Sequence, residues 1–175
     1  GEQGGGIYNS GTLTISKSTL SENSASNGGG ISNPTTFGRV NVTNSTLSGN
    51  TADQGSGISN RYGTANLSNS TVSGNLASDD GGGIRNSKGS LSLSNSTIYG
   101  NTTVAVGGGI SNNNDGTLSL SNSIIANTGG SGSDVNNNGT INRQGINLVE
   151  DGSLTGENII NQDPNLSPLQ DNGGS

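Results

Sequence analysis

The chain has 175 residues and a formal net charge of −6, with six Lys and Arg residues and no His, Cys, Met or Trp. The basic residues form no stripe along the sequence, which argues against a nucleic acid partner, and no apolar run approaches the roughly 20 residues that a membrane-spanning helix needs. Hydrophobic residues make up only 25% of the chain, which is typical of disorder unless a repeat allows a narrow core.

Such a repeat is present. Five units open on a Gly-x-Gly-Ile motif, at Gly4, Gly28, Gly55, Gly81 and Gly107. The steps between these positions are 24, 27, 26 and 26 residues. A period of this size is typical of a solenoid, in which each repeat stacks on the next.

Within each unit the apolar residues follow the two-residue period of a β-strand. Thr12–Ser16, Arg39–Thr43, Ser90–Ser94 and Thr117–Ser121 alternate Leu, Ile or Val with polar side chains, so the aliphatic residues face one side. No window has the apolar pattern of a helix, and Gly is a poor helix former. We therefore predict an all-β fold, a right-handed parallel β-helix with about 26 residues per coil, three short strands and tight bends in each coil, and five regular coils followed by a divergent sixth.

Alignment of the coils predicts four inward columns of aliphatic side chains. The columns are Ile7, Ile31, Ile58, Ile84, Ile110; Leu13, Val40, Ala65, Leu91, Leu118; Ile15, Val42, Leu67, Leu93, Leu120; and Leu20, Leu47, Val72, Ile98, Ile125. Each buried aliphatic side chain contributes about 1.5–3 kcal/mol, so four of them cannot offset the ordering entropy of one coil. Stability therefore requires stacking.

Three columns of asparagine are predicted at the bends. They are Asn9, Asn33, Asn60, Asn86, Asn112; Asn23, Asn50, Asn75, Asn101; and Asn44, Asn69, Asn95, Asn122, with Lys17 in the first coil. Asparagine tolerates the left-handed backbone of a sharp bend, and its amide can donate to one neighbouring coil while it accepts from the other. We interpret these columns as structural because they recur at bends and do not converge on one pocket.

The sequence divides into two parts of one domain. Residues 1–127 are predicted to form the regular repeats, and residues 128–175 the divergent terminal coil and C-terminal tail, with the sixth coil centred on residues 140–149. Residues 1–3 are interpreted as the end of an earlier coil, which would make the chain either a segment excised from a longer protein or a mature form left after processing.

The repeats resemble those of large bacterial secreted or surface proteins that contain right-handed parallel β-helix domains. The tail resembles the end of such domains in proteins with C-terminal surface-anchor modules, through Ile124-Ile125-Ala126-Asn127, Gly145-Ile146-Asn147-Leu148, Asp163-Pro164 and Asn172-Gly173-Gly174. A weaker similarity is to the polymorphic outer-membrane adhesins, which pair Gly-Gly-Ala-Ile with Phe-x-x-Asn; this chain has Gly for that Ala and lacks the Phe. The resemblance implies export, which fits the absence of Cys, and it implies no catalytic residues.

The alternative class is an enzyme that cleaves polysaccharides, since right-handed β-helices often host such sites. Hydrolysis by paired carboxylates needs two acids about 5–9.5 Å apart, and Asp53, Asp79 and Asp80 fall in equivalent bends of adjacent coils. The sequence has no His, and it shows no aromatic platform for sugar rings and no basic cluster for uronates. We therefore interpret these aspartates as solvated bend residues.

Three further patterns have structural interpretations. Residues 129–134 match the start of a calcium-binding glycine-rich nonapeptide, but Asn136 replaces an apolar residue and a single loop lacks the six to eight oxygens that calcium prefers, so a turn is predicted. The outward columns that begin at Thr12 and Thr14 would suit ice binding, but Arg39 interrupts them. Sequons for N-glycosylation are interpreted as by-products of the asparagine columns; they include Asn41, Asn44, Asn66, Asn69, Asn95 and Asn101.

The sequence predicts a non-enzymatic extracellular scaffold, a rigid β-solenoid rod of a cell-surface or secreted protein that holds an adhesive, anchoring or assembly module away from the cell. No catalytic, cofactor-binding or metal-binding residues are predicted. The expected partners are a further copy joined end to end, which would give a filament, or a matrix or surface glycan. The longest bend, residues 34–38, holds no acid and no tyrosine, which favours the scaffold over the enzyme.

Overall fold

The computed structural model describes residues 3–126, 128–130 and 132–166, and the regular secondary structure of these residues is β-strand throughout. The strands are β1 (Ile7–Tyr8), β2 (Thr12–Ser16), β3 (Thr19–Ser21), β4 (Ser24–Asn27), β5 (Ile31–Asn33), β6 (Arg39–Thr43), β7 (Thr46–Ser48), β8 (Thr51–Gln54), β9 (Ile58–Asn60), β10 (Thr64–Ser68), β11 (Thr71–Ser73), β12 (Leu76–Asp80), β13 (Ile84–Ser87), β14 (Ser90–Ser94), β15 (Thr97–Tyr99), β16 (Thr102–Thr103), β17 (Ile110–Asn113), β18 (Thr117–Ser121), β19 (Ile124–Ala126), β20 (Gly129–Gly130), β21 (Val135–Asn137), β22 (Thr140–Gln144), β23 (Asn147–Val149) and β24 (Ile159–Ile160). The predicted all-β class is confirmed.

The strands stack into four parallel sheets along the axis of the molecule. In spatial order, sheet 1 is β1-β5-β9-β13-β17-β21, sheet 2 is β2-β6-β10-β14-β18-β22, sheet 3 is β3-β7-β11-β15-β19-β23-β24, and sheet 4 is β4-β8-β12-β16-β20. The chain is therefore a β-solenoid of about five turns with about 26 residues per turn, as predicted. Crossover connections between parallel strands are right-handed in about 98% of cases, which is the hand that the sequence predicted.

Sheet 4 corrects the prediction of three strands per coil. The sequence assigned the residues of β12 and β16 to a variable bend, whereas they pair in parallel with each other, and β12 also pairs with β8. Apart from Leu76, these strands hold small or polar residues, so they lack the apolar alternation that identified the other strands. Their matched positions are occupied by small residues in register: Ala25, Ala52, Ala77 and Thr103.

The four aliphatic columns are in register and form the core, as predicted. All their members in the second to fifth coils are at most 1% exposed. Val135 and Ile141 extend two of the columns into the sixth coil, but Arg143 pairs with Leu120 where an aliphatic residue would continue a third. The Arg143 Nε is buried and has no hydrogen-bond partner among the described residues. The sixth coil is thus divergent, and it includes β21 as well as the predicted residues 140–149.

Two of the three asparagine columns form continuous hydrogen-bond ladders. In the first ladder, Nδ2 of each Asn donates to Oδ1 of the next, at 2.8 Å from Asn9 to Asn33, 2.7 Å at the next three steps, and 2.6 Å from Asn112 to Asn137. In the second ladder, from Asn23 to Asn101, both the backbone N and Nδ2 donate to Oδ1 of the next coil at 2.8–3.0 Å. Every Asn-to-Asn donation runs towards the C-terminal end, whereas Nδ2 of Asn50, Asn75 and Asn101 also donates to a backbone carbonyl oxygen of the preceding coil at 2.9–3.1 Å.

The third asparagine column acts through its backbone and forms no such ladder. Asn44, Asn69, Asn95 and Asn122 have φ values of 48–50°, and Lys17 has 49°, a left-handed conformation that Asn tolerates. Each of them precedes a serine, and the serines form a further ladder that the sequence did not predict. The backbone N of each Ser donates to Oγ of the next at 3.1–3.3 Å, through Ser18, Ser45, Ser70, Ser96 and Ser123.

The C-terminal end of the solenoid is covered over sheets 1 and 3 by residues 150–161, which we call the cap. Asp151 Oδ2 accepts a hydrogen bond from the Asp134 backbone N at 2.8 Å, and Ser153 Oγ accepts one from the Val135 N at 3.0 Å. These side chains satisfy donors that a following coil would otherwise meet. Leu154 is 6% exposed and joins the core cluster, so the cap also closes the aliphatic interior.

Among the described residues, only one side of the N-terminal coil is covered by another coil. Ile7, Leu13 and Leu20 are partly buried, whereas their counterparts in the next coil are fully buried. The first coil is tied to the second by its parallel strands and by a bridge between Gln3 and Asn27. Among the described residues, no strand precedes β1, β2 or β3, whereas the C-terminal end is covered over sheets 1 and 3 and leaves β22 of sheet 2 without a following strand.

Candidate functional site

The carboxylates that could support polysaccharide cleavage lie on sheet 4. Asp53 is in β8, and Asp79 and Asp80 are in β12, so they belong to strands of adjacent coils and the assignment to bends is wrong. Asp53 Oδ1 accepts a hydrogen bond from Ser78 Oγ at 2.9 Å, and Asp79 Oδ2 accepts one from Gln54 Nε2 at 2.7 Å. Both bonds tie one coil to the next.

Asp80 is the centre of a small polar cluster that joins sheets 4 and 1. Its Oδ2 lies 3.5 Å from Arg85 Nε and accepts a hydrogen bond from Asn113 Nδ2 at 2.9 Å. Its Oδ1 accepts a hydrogen bond from Ser111 Oγ at 3.2 Å. All three sheet-4 carboxylates therefore have partners within the protein, and these hydrogen bonds and the ion pair connect neighbouring coils.

The glycine-rich segment leads into the attachment of the cap. Gly129–Gly130 forms β20, and Ser131 lies outside the described residues. Asp134 is 2% exposed; its Oδ1 accepts from Thr128 Oγ1 at 2.6 Å, and its Oδ2 accepts from the Asp151 N at 3.0 Å. Since the Asp134 N donates to Asp151 in return, the two aspartates lock the cap to the last coil. In the described part of the chain, no three or more His, Cys, Asp or Glu are arranged to hold a metal ion.

The two cap aspartates have pKa values displaced in opposite directions. Burial raises the pKa of Asp134 above its ordinary value of 3.8, and the hydrogen bonds from Thr128 and Asp151 only partly offset this. Burial also acts to raise the pKa of Asp151, but hydrogen bonds from Ser153 and Asp134 outweigh it and hold that pKa below 3.8. Asp151 is therefore stabilised in its carboxylate form, whereas the carboxylate form of Asp134 is poorly solvated.

The outward polar columns of sheet 2 are in register as predicted. Thr12, Arg39 and Thr64 are aligned, and Asn66 Nδ2 donates to Asn41 Oδ1 at 3.0 Å on the exposed face. The predicted sequons differ in accessibility: the side chains of the third asparagine column are exposed, whereas Asn101 is 0% exposed and is occupied by the second ladder.

The structure also assembles a surface that the sequence missed. The bends between sheets 1 and 2 stack on one another. In the second to fourth coils these bends and the first residue of β6 carry a group that we call the basic corner: Phe37, Arg39, Arg61, Tyr62 and Lys88. All five side chains are exposed. The Arg61 Cζ lies 5.2 Å from the centroid of the Tyr62 ring, and the Lys88 Nζ lies 6.0 Å from it. The sequence analysis did not anticipate that two cations lie beside one aromatic ring at this edge.

Together these features define the chain as a β-solenoid repeat protein with a capped C-terminal end and internal ladders of asparagine and serine. The described residues include no helix long and apolar enough to cross a membrane. Comparison with protein-family models, with curated proteins and with solved structures finds no match. The part of the tail resemblance that falls on Asn172-Gly173-Gly174 lies outside the described residues.

Proposed function

We propose that the chain is a non-enzymatic scaffold of an extracellular, cell-surface or secreted protein, a rigid β-solenoid rod that displays or anchors another module. The observation that carries this proposal is the continuity of the columns and ladders through successive coils. The interior members of both asparagine ladders are 0% exposed, and each amide bonds to the coil on either side. A coil cannot tilt or slide without breaking these buried hydrogen bonds, so the coils move together as one body.

The length of the rod increases with the number of coils. Parallel strands lie about 4.8 Å apart, so five steps between the first and sixth coils span about 24 Å. To test the scaffold, four further copies of residues 81–106 are inserted between residues 106 and 107. Small-angle X-ray scattering is expected to show a rod longer by about 19 Å, four times the 4.8 Å strand spacing, with an unchanged cross-section. A constant length or a loss of cooperative unfolding would contradict the scaffold.

A polysaccharide-cleaving enzyme is the second candidate, because Asp53 and Asp79 come from adjacent coils of one sheet. The hydrogen bonds and the ion pair that occupy the three sheet-4 carboxylates support the scaffold instead. The chain is to be incubated with acidic and neutral polysaccharides while reducing ends and unsaturated uronate products are measured. We expect no release. Turnover that disappears in Asp79→Asn, with the solenoid intact, would replace the scaffold with the enzyme.

The open N-terminal coil supports a further element of the proposal. Its unpaired strand edges can pair with a further coil, such as that of a second copy joined end to end. A second copy joined through the C-terminal end would contact the cap over sheets 1 and 3 and the free edge of β22 in sheet 2.

A further inference from the structure

The basic corner is built on loops that the backbone holds in fixed positions. The Arg61 N donates to the Asn33 O at 3.1 Å, which seats the third-coil bend on the second-coil bend. The Thr64 N donates to the Gly38 O and the Ser90 N donates to the Gly63 O, both at 2.9 Å. The bends of three successive coils are thus stacked one strand spacing apart, about 4.8 Å, and their side chains project from a rigid edge.

The charges of the basic corner are not neutralised within the described residues. Arg39, Arg61 and Lys88 have no carboxylate oxygen within 4.0 Å there, whereas Arg85 pairs with Asp80 at 3.5 Å. Arg61 and Lys88 instead approach the same tyrosine ring, which orients both cations by cation–π attraction. Three of the six basic residues in a chain of net charge −6 therefore lie on one edge with no carboxylate within 4.0 Å among the described residues, although the fifth-coil bend that continues this edge carries Asp115.

The same edge presents an aromatic ring to solvent. Phe37 is 83% exposed, the largest exposed fraction among the large hydrophobic residues of the described chain. It stands on the five-residue bend 34–38, where the Gly38 N donates to the Thr35 O at 3.0 Å and closes the turn. A phenylalanine at this site gains almost no burial on folding, so its ring is accessible to a ligand outside the chain.

We propose that the basic corner binds an acidic polysaccharide, a linear chain of uronic acid units. A uronate carboxylate matches the paired N–H groups of an arginine and the ammonium of a lysine, and the C–H face of a sugar ring packs on the electron-rich face of an aromatic ring. One sugar unit spans a distance of the same order as the coil spacing of about 4.8 Å, so successive units meet side chains from successive coils.

The shape and composition of the corner favour a polysaccharide over other anionic polymers. Single-stranded nucleic acid is bound by basic grooves with several stacking aromatic residues, and anionic membranes are bound by clusters of four to eight basic residues. The corner is a narrow edge with three cations and one freely exposed apolar ring. This inference rests on the proposed extracellular role, since it names the ligand that such a scaffold would contact.

Polygalacturonate is the probe for the experiment, and fully methyl-esterified polygalacturonate is the uncharged control. Binding of the whole chain is measured by affinity electrophoresis and calorimetry. Lys88→Asn is matched by Lys17→Asn, because both lysines are exposed and have positive φ, 58° and 49°. Arg61→Ser introduces the residue that the next coil has at this position, and Phe37→Ala removes the ring.

We expect binding to polygalacturonate and none to the ester. Arg61→Ser and Lys88→Asn should each weaken binding by about tenfold, as loss of a charge-assisted contact does, and Phe37→Ala should weaken it at high salt as well. Lys17→Asn should change it by less than about twofold, because a distant charge is screened. The inference is overturned by absence of binding, by equal effects of Lys17→Asn and Lys88→Asn, by no effect of Phe37→Ala, or by equally tight binding to phosphatidylserine vesicles or single-stranded DNA. If added coils lengthen the rod but the chain does not bind polygalacturonate, only this inference fails and the scaffold proposal is retained.

Discussion

Asn60→Ala in the first ladder tests the structural basis of the scaffold most directly. Asn60 is 0% exposed; its Nδ2 donates to Asn86 Oδ1 at 2.7 Å and to the Gly63 O at 3.0 Å, and its Oδ1 accepts from Asn33 Nδ2 at 2.7 Å. Alanine removes these bonds, together with one from Nδ2 to the Ser90 O at 3.2 Å, in the interior, where water does not replace them. The cost of a buried polar group left without a partner is about 1–3 kcal/mol.

Asn86 Oδ1 loses its donor in this variant, whereas Asn33 Nδ2 keeps the Gly38 O at 3.2 Å and the Thr64 O at 3.4 Å as acceptors. The free energy of unfolding should therefore fall by roughly 1–3 kcal/mol, which corresponds to a decrease in Tm of about 2–12 °C for a chain of this length. Asn66→Ala is the matched control, since Asn66 lies in the same coil and loses only one exposed hydrogen bond to Asn41. Surface substitutions of this kind change stability by less than about 0.5 kcal/mol.

Both variants are to be compared by circular dichroism during heating and by urea titration at constant chain concentration. Equal Tm values for Asn60→Ala and Asn66→Ala would refute the reasoning, because they would mean that the buried amides contribute no more than solvent-exposed ones. A reduced m-value in Asn60→Ala would indicate that the coils on either side unfold separately, in which case the ladder also couples them.

Leu93→Asp should destabilise the solenoid by several kcal/mol, because it buries an unpaired carboxylate in the core, whereas Ser92→Asp faces outward; equal thermal losses would show that the inward and outward assignment is wrong. Because the pKa of Asp134 is raised, its contribution to the free energy of unfolding is greatest below pH 3.8 and is lost as the pH rises through its folded-state pKa. The Tm advantage of wild type over Asp134→Asn should therefore shrink with rising pH. The lowered pKa of Asp151 has the opposite sign: the advantage over Asp151→Asn should be full above pH 3.8 and decline as the pH falls through the folded-state pKa, and parallel pH profiles for the two variants would contradict the assignment. Residues 1–175 expressed alone should gain mass with concentration or show weak amide protection over residues 4–15; a monomer at every concentration with those amides protected would rule out the open-end proposal.

The parts of the fold that the sequence predicted are those with a repeated chemical signal. The alternation in β14 and β18 identifies the strands, and the recurrence of Ile at each coil start fixes the register, because a slip of one residue would turn every aliphatic side chain outward. The asparagine columns were predictable for the same reason. Their division into two side-chain ladders and one backbone column was not, since all three have the same residue type.

The features that the sequence missed have no periodic signal of their own. Sheet 4 is held by backbone pairing around Ala52 and Ala77, which leave no hydrophobic pattern. The serine ladder could have been inferred from the Asn-Ser-Thr recurrence, but that recurrence also fits sequons. The basic corner combines single residues from three coils, so only the stacked structure brings Phe37, Arg61 and Lys88 to one edge.

The Asn-to-Asn hydrogen bonds of both ladders run in one direction, and this polarity restricts how two copies of the chain can associate. At the N-terminal end the first ladder presents the carbonyl oxygen of Asn9, because the Asn9 amide nitrogen is already directed to Asn33. Asn23 differs, because its counterparts in the next three coils also donate Nδ2 back to a backbone carbonyl oxygen of the preceding coil. At Asn9, two such ends placed face to face would set oxygen against oxygen, with no proton between them. Whatever covers that end must therefore offer an amide hydrogen to Asn9, and both a donor and an acceptor to Asn23.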